Sequence, residues 1–287
     1  MPYIQVRGVD HYYQWIKKST PEQNKPVIVF IHGWGGSARY WESTANALSD
    51  SFDCLLYDLR GFGRSKLPQQ PLELSYDMEE YAEDLAGLLD ALGLSRIYLN
   101  AHSLGASAAC MFVNRYPERV ERAIFTCSGI FEYEEKSFAA FHKFGTYVVK
   151  FRPWWFLRIP LASTMFMQRF LHRPLPRAIS RPFLEDYLLA DETAALGTML
   201  TAVSKYAAEV MPQEFAKLAV PTLLISGEYD KIIPPALGSN AARLNEQVEY
   251  IEIANTAHFP MLEQPKLYLE QIRKFLACLA VHPTSYP

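Results

Sequence analysis

Short runs of apolar, mostly β-branched residues alternate along this chain with segments of helical periodicity. Residues 27–31 read Val-Ile-Val-Phe-Ile, as expected of a strand that is covered on both faces. Residues 78–92 instead repeat leucine at positions i, i+3, i+4 and i+7, which predicts an amphipathic helix. Strands that alternate with helices predict an α/β fold with a mostly parallel, doubly wound sheet. Further strand-like runs occupy residues 54–57, 97–99, 123–125, 222–225 and 248–253.

The alternation stops between about residues 131 and 211, where no strand-like run occurs and prolines separate helix-length segments. We therefore predict a helical cap over residues 131–211, inserted between two parts of one core at residues 1–130 and 212–287. In doubly wound sheets, ligands bind beyond the carboxyl ends of the strands. Candidate functional residues are thus expected in the loops that follow strands.

The composition excludes several classes of protein. With 28 basic and 31 acidic residues, the 287-residue chain has a formal net charge of −3, which argues against a nucleic-acid-binding protein. Cys54, Cys110, Cys127 and Cys278 form no CxxC pair and no Cys/His cluster of zinc spacing. We therefore expect reduced thiols and neither a metal nor another cofactor. Because no signal peptide and no membrane-length apolar stretch is found, we expect a cytoplasmic protein.

A candidate nucleophile follows the strand-like run at residues 97–99. Residues 101–105 read Ala-His-Ser-Leu-Gly and open a helical stretch. Small residues two positions before and after Ser103 allow a sharp turn that exposes its hydroxyl, as in the nucleophile elbow G-x-S-x-G. A serine that merely caps a helix would give the same local pattern, so the motif is weak by itself.

Three further strand ends carry residues that could support catalysis by a serine nucleophile. Residues 32–37 read His-Gly-Trp-Gly-Gly-Ser, a loop whose amides can complete an oxyanion hole. A phosphate-binding loop is the competing interpretation, but neither G-x-x-x-x-G-K-[ST] nor G-x-G-x-x-G is present. Asp230 and His258 each follow a later strand, so that Ser103, Asp230 and His258 stand in the order nucleophile, acid, base.

With these motifs the chain resembles the α/β-hydrolase superfamily, in its esterase- and lipase-like branch with a helical cap. Residues 58–65 resemble the D-x-R-G-x-G-x-S turn of that family, and residues 263–265 read Glu-Gln-Pro; we interpret both as scaffold. The resemblance covers essentially the whole chain and implies a sheet of about eight strands. The chain departs from the family pattern at Ala101, Ala106 and Ala257, where glycine is commoner.

The resemblance implies acyl transfer. Ser103 would attack a carbonyl carbon, His258 would take its proton and return it to the leaving group, and Asp230 would orient His258. The backbone amides of Trp34 and Leu104 would hold the oxyanion.

Several neighbouring polar residues have other interpretations. We expect His102 to be structural and to point away from the nucleophile. Glu228 lies two residues before Asp230, but the spacing in the family favours Asp230 as the acid. Glu80 and Asp84 are predicted to form a solvated helix face.

The motifs narrow the reaction but leave alternatives. Ser103 and Gly35 exclude dehalogenases and many epoxide hydrolases, which carry Asp at the nucleophile and H-G-x-P in the oxyanion loop. We predict hydrolysis of a hydrophobic carboxylic ester, such as a lipid acyl ester or a prenyl or phytyl-type ester. Peptidases resembling prolyl iminopeptidases, thioesterases and acyltransferases use the same triad, and a ligand-binding receptor of hydrolase fold also stays open.

The cap concentrates basic and aromatic residues. From residue 136 to 184 there are nine Lys and Arg residues and no Asp or Glu, and Lys136, Lys143 and Lys150 repeat every seven positions. A basic amphipathic helix with aromatics is typical of segments that bind membrane surfaces. Alternatively, the aromatics pack the cap onto the core while the bases face solvent. We hypothesise peripheral binding to an anionic membrane and no binding to nucleic acid. The candidate substrate-binding residues of the cap are Phe138, Phe141, Trp154 and Trp155.

Overall fold

The computed structural model describes residues 2–18, 25–70 and 73–277, so Cys278 lies outside the described residues. Within them the chain forms a single sheet of eight strands. These strands are Tyr3–Val6 (β1), Val9–Ile16 (β2), Val27–Ile31 (β3), Asp53–Tyr57 (β4), Ile97–His102 (β5), Val120–Thr126 (β6), Thr222–Gly227 (β7) and Val248–Ile253 (β8).

The strand order across the sheet is β1-β2-β4-β3-β5-β6-β7-β8. Six neighbouring strands are parallel: β4, β3, β5, β6, β7 and β8. The β1–β2 hairpin adds antiparallel pairs at one edge. The predicted α/β fold class with a mostly parallel sheet is therefore confirmed. Because the central strands are parallel, the loops after β3, β5, β7 and β8 leave the sheet at the same edge.

Helices cover both faces of the sheet. Alternate residues of β3 enter two separate cores: Val29 and Ile31 pack with α2 and α3, whereas Ile28 and Phe30 pack with α1 and α11. A strand buried in this way on both faces needs an uninterrupted apolar run. The helices are Glu42–Leu48 (α1), Met78–Ala91 (α2), Leu104–Arg115 (α3), Glu135–Lys150 (α4), Ala162–Gln168 (α5), Arg177–Leu189 (α6), Glu192–Ala202 (α7), Lys205–Lys217 (α8), Pro235–Ala242 (α9), Pro260–Glu263 (α10) and Pro265–Ala277 (α11).

The segment between β6 and β7 is helical and contains α4 to α8. Its last helix, α8, packs against the sheet, because the ring of Phe215 lies 6.2 Å from that of Phe125 in β6, centroid to centroid. The expected end of the cap at residue 211 falls inside this helix, and the domain boundaries stay predictions. Over the three described ranges, no helix combines the length and the apolar character that crossing a bilayer requires.

Buried charges brace the loop after β4. The carboxylate of Asp58 is fully buried and accepts hydrogen bonds from the backbone amides of Ala38 and Arg64, each 2.8 Å long. The guanidinium of Arg60 donates to the carboxylate of Asp84 across 2.7 Å, and both side chains are only 1% exposed. The expectation that Asp84 belongs to a solvated helix face is therefore wrong, since this face of α2 packs beneath the loop.

We expect replacement of Arg60 by leucine to lower the free energy of unfolding by about 3 kcal/mol, because Asp84 would stay buried with only the partly exposed Arg7, 2.9 Å away, as an ion-pair partner. Urea titration measures this change. In the double variant Arg60→Leu/Asp84→Leu, the incompletely paired buried carboxylate is gone, so this variant should be more stable than Arg60→Leu alone. A double variant that is less stable than the single one would contradict the role assigned to the pair.

Candidate active site

The turn between β5 and α3 presents Ser103. Its backbone dihedrals, φ 53° and ψ −123°, lie in a region that residues with a side chain rarely adopt and that is found mostly at functional sites. The turn is tight, because a Cβ atom at position 105 would lie 2.3 Å from the carbonyl oxygen of His32. Gly105 is therefore required, whereas Ala101 fits into the buried end of β5.

Three side chains form a continuous hydrogen-bonded row at the carboxyl edge of the sheet. The Nε2 atom of His258 lies 3.1 Å from Oγ of Ser103, and Nδ1 of His258 lies 2.7 Å from a carboxylate oxygen of Asp230. The other Asp230 oxygen accepts from the amides of Ile232 and Ile233 at 2.8 and 3.1 Å. The structure thus brings together the three residues that the sequence predicts as a triad.

The environment of Asp230 favours its charged form. Burial alone would raise the pKa of Asp230, but the adjacent His258 and the two backbone amides lower it below the ordinary aspartate value. An ionised carboxylate in this position holds the Nδ1–H tautomer of His258, which leaves Nε2 free to accept the proton of Ser103.

The two predicted oxyanion residues flank the serine. Leu104 is the first residue of α3, so its N–H has no partner within the helix. The loop that carries Trp34 packs against the elbow, since a Cβ at Gly33 would lie 3.1 Å from Cβ of Ser103. The indole N–H of Trp34 donates to the carbonyl of Ala195 across 2.8 Å and anchors this loop to α7. The role of the Trp34 and Leu104 amides as oxyanion donors stays a prediction.

A cavity of about 90 Å³ opens in front of Ser103 and His258. Its wall is mostly apolar, and the cap supplies much of it. The cap residues in this wall are Phe166, Met167, Phe170, Phe183 and Tyr187.

The cap aromatics singled out from the sequence lie elsewhere. Phe138 is buried beside Tyr133, with ring centroids 5.0 Å apart, whereas Phe141, Trp154 and Trp155 are exposed. None of the four residues lines the cavity. The structure therefore corrects this prediction, because α5 and α6, rather than α4, place side chains over Ser103.

A model of the family described as alpha/beta hydrolase fold matches residues 26–265 of the chain. The chain belongs to this family. A relative from Bacillus subtilis, the uncharacterized hydrolase YugF, is 24% identical over 94% of this chain and 96% of its own length.

Solved structures of other members superimpose over nearly the whole chain. The enol-lactonase from Burkholderia xenovorans LB400 has a TM-score of 0.77 at 22% identity and covers 96% of this chain and 99% of its own. A thermophilic esterase from Thermogutta terrifontis has a TM-score of 0.75 at 21% identity and covers 96% and 97%. These similarities confirm the fold of this α/β-hydrolase.

A second network, not predicted from the sequence, links the oxyanion loop of this hydrolase to the loop that carries its histidine. The Tyr40 hydroxyl accepts from the amide of Gly33 and donates to Nδ1 of His102 across 2.9 Å. The Nε2–H of His102 in turn donates to the carbonyl of His258 across 2.7 Å. His102 is thus fully engaged as a neutral ring, and burial holds its pKa well below the ordinary histidine value.

Glu263 ties the cap to the same histidine loop. One carboxylate oxygen accepts from the amide of Ala257 at 2.8 Å, and the other accepts from the amides of His172 and Arg173 at 2.7 and 2.9 Å. The amide of His258 also donates to the carbonyl of Phe170 across 2.9 Å. The position of His258 therefore depends on residues 170–173, in the cap loop between α5 and α6.

We expect Glu263→Gln to lower kcat for any substrate about tenfold to hundredfold with little change in KM. A glutamine side chain has one oxygen that can accept a hydrogen bond, whereas both oxygens of Glu263 accept from backbone amides. The NH2 group of the glutamine would therefore face an N–H donor, and the repulsion would displace the His258 loop. Steady-state kinetics separate the two constants. Glu270→Gln, on the exposed side of α11, is the matched control and should behave as wild type. A Glu263→Gln enzyme that loses only thermal stability would contradict a positioning role.

Potential metal ligands also lie close together at this site. Among the described side chains, His102, Cys127 and His258 place ligand atoms within 4.8 Å of one another. The nitrogens of both histidines already take part in hydrogen bonds, and burial raises the pKa of the Cys127 thiol well above its ordinary value. Because metal ligands must be deprotonated and free, this donor set suits a hydrogen-bonded network rather than a cation.

Proposed function

We propose that this α/β-hydrolase cleaves carboxylic esters with apolar groups by covalent catalysis at Ser103. The observation that carries the proposal is the unbroken row Ser103–His258–Asp230 at the floor of an apolar cavity. A serine that only capped α3 would need neither partner, and the side chain of Ser103 makes no capping hydrogen bond. An esterase and an enol-lactonase are among the proteins of similar structure.

The reaction proceeds in two halves. Oγ of Ser103 attacks the ester carbonyl while Nε2 of His258 takes its proton, and the amides of Trp34 and Leu104 hold the oxyanion. His258 then gives the proton to the departing alkoxide, which leaves as the alcohol. A water molecule, deprotonated by His258, then attacks the acyl-enzyme. His258 returns this proton to Oγ of Ser103 as the bond to the acyl group breaks and the acid is released. Asp230 stabilises the imidazolium in both halves.

The cavity favours a neutral, apolar substrate. Its wall contains five aromatic or sulfur-bearing cap side chains, and no Asp, Glu, Lys or Arg of the described residues lines it. A peptidase that binds the free amino group of its substrate needs an acidic partner there, since burial of an unpaired ammonium is costly. The cavity therefore favours esters over amino-terminal peptides. At about 90 Å³ it is smaller than the roughly 300–1,000 Å³ of ordinary ligand pockets, so a long chain requires movement of cap rings.

Paired substrates test the proposal. Hydrolysis of p-nitrophenyl butyrate is compared with that of the similarly sized p-nitrophenyl succinate, of prolyl p-nitroanilide and of butyryl thioester. We expect the butyrate ester to have the highest kcat/KM, because the succinate carboxylate would be desolvated without a partner. Preference for the anilide or the thioester would replace the ester proposal by the peptidase or thioesterase alternative. No turnover of any of them would support a ligand-binding role instead.

A further inference from the structure

Large apolar side chains at the surface are concentrated on one part of the cap. Of the fourteen exposed large hydrophobic side chains among the described residues, nine lie between residues 141 and 165. We call these nine the exposed apolar surface of the cap. Its members are Phe141, Phe144, Tyr147, Phe151, Trp154, Trp155, Ile159, Leu161 and Met165. Concentrations of this kind mark interaction surfaces, whereas scattered apolar residues need no explanation.

Helix α4 arranges its aromatic and basic residues in adjacent stripes. An α-helix turns by about 100° per residue, so Phe144, Tyr147 and Phe151 lie along one stripe of its exposed side. Lys136, Lys143 and Lys150, spaced by seven, form the neighbouring stripe. The opposite side carries the buried residues of the helix, which pack into the cap.

Contacts join α4 to two other parts of the cap. The ring of Phe151 lies 5.8 Å from that of Phe156, which in turn lies 4.7 Å from that of Trp155, centroid to centroid. The guanidinium of Arg169 lies 5.9 Å from the ring centroid of Phe144. Aromatic and basic groups of two further cap segments thus border the stripe on α4.

Beyond the acidic N-terminal end of α4, at Glu134 and Glu135, the charge at this surface has one sign. Residues 136–184 contain nine basic and no acidic residues. Within the described ranges, no carboxylate lies at salt-bridge distance from Lys136, Lys143 or Lys150. A second copy of the chain, bound through the same surface about a two-fold axis, would bring these lysines against each other. The surface therefore favours an anionic partner with an apolar interior.

We propose that the exposed apolar surface of the cap binds an anionic lipid bilayer, with its aromatic side chains in the interface and its lysines at the headgroups. Trp and Tyr suit this depth because one end of each ring system is apolar and the other polar. Helix α5 links the bilayer to the active-site cavity: Leu161 and Met165, both 68% exposed, border the membrane, whereas Phe166 and Met167 line the cavity. An ester held in the bilayer would thus meet Ser103 across one short helix.

Vesicle sedimentation tests the binding separately from catalysis, because it uses the Ser103→Ala protein. The vesicles contain either phosphatidylcholine alone or one part phosphatidylglycerol to two parts phosphatidylcholine. We expect a partition coefficient at least about tenfold higher for the anionic vesicles at low salt, falling as salt rises. The variant Lys143→Gln/Lys150→Gln should weaken this binding by about 25-fold, since each lysine contributes about fivefold.

A second variant, Phe144→Ser/Phe151→Ser/Trp155→Ser, tests the apolar part of the surface. It should reduce binding to both kinds of vesicle. All three side chains are exposed, so folding should be retained, as circular dichroism would verify. The matched control is Lys205→Gln/Tyr206→Ser, an exposed basic–aromatic pair on α8 that should bind like the parent. Equal binding of all variants, or self-association through this surface without vesicle binding, would overturn the proposal.

The proposal rests on the proposed function only in its last step, delivery of an ester to Ser103. Vesicle binding without ester hydrolysis would support the membrane-binding proposal and refute the proposed esterase function. Ester hydrolysis without vesicle binding would do the reverse. If both hold, anionic vesicles should raise the turnover of long-chain esters in the wild type, and the aromatic variant should lose that rise while it keeps its activity on p-nitrophenyl butyrate.

Discussion

Replacement of Ser103 by alanine is expected to lower kcat/KM for any ester that the protein cleaves by at least about a thousandfold. The loss follows from geometry: Oγ of Ser103 is the atom that lies 3.1 Å from Nε2 of His258, and without it no acyl-enzyme can form. In free energy this is about 4 kcal/mol or more of transition-state stabilisation. Steady-state hydrolysis of p-nitrophenyl butyrate measures it.

Two further variants make this result specific. Ser107→Ala, one turn further along α3, removes a hydroxyl outside the row and should retain full activity. His258→Ala should lose about as much activity as Ser103→Ala, and the double variant should lose no more than either, because residues that act as a unit are not additive. An enzyme that keeps its turnover without Ser103, or whose two losses multiply, would refute the assigned nucleophile.

Much of the core and of this row could be predicted from the sequence because both depend on local patterns. A strand buried on both faces must be apolar throughout, and β3 and β7 are. Parallel strands end at one edge, so Ser103, Asp230 and His258, each just past a strand, had to lie near one another. The β1–β2 hairpin has no such pattern, because it lies at the sheet edge and mixes polar with apolar residues.

The contacts that the sequence did not reveal are those made across distant segments. Asp84 follows the spacing of a solvated helix face, but it is buried because Arg60, 24 residues earlier, folds over it. The periodicity of α4 separates its faces without indicating which one meets the cavity. Likewise, Tyr40 carries no motif that points to His102. Glu263 stands in a stretch interpreted as scaffold, and the sequence does not indicate its hydrogen bonds to the backbone of the His258 loop.

We also expect the protein to lose stability steeply between about pH 6.5 and pH 5, because three buried histidines are held neutral. Burial lowers the pKa of His11, His32 and His102, most strongly for His102. Hydrogen bonds agree for His32: its Nε2 accepts the amide proton of Leu59 across 2.8 Å, while its Nδ1–H donates to the carbonyl of Gly33. A proton on Nε2 of His32 would point at the N–H of Leu59 and replace this hydrogen bond by repulsion.

The sign follows from proton binding. In the unfolded chain these histidines take up protons near pH 6.5, whereas the folded protein does not until its lowered pKa values are reached. The unfolded state therefore binds more protons in this window, and the free energy of unfolding falls as the pH falls. As long as all three stay neutral in the folded protein, the slope is about 2 kcal/mol per pH unit at pH 6.5 and approaches about 4 kcal/mol per pH unit at lower pH, where the unfolded chain is fully protonated at these sites. The lowered pKa of Asp230 adds a further loss below about pH 4.

Urea titrations at a series of pH values measure this slope. In His11→Phe the ring contact with Tyr57 can be kept, and only a long 3.3 Å contact to the carbonyl of Asp58 is lost. This variant should therefore fold and show a slope smaller by about one third, because one fewer proton is taken up on unfolding. A wild-type stability that is constant from about pH 7 to pH 5 would mean that these histidines bind protons equally in both states, and their buried, neutral assignment would be wrong.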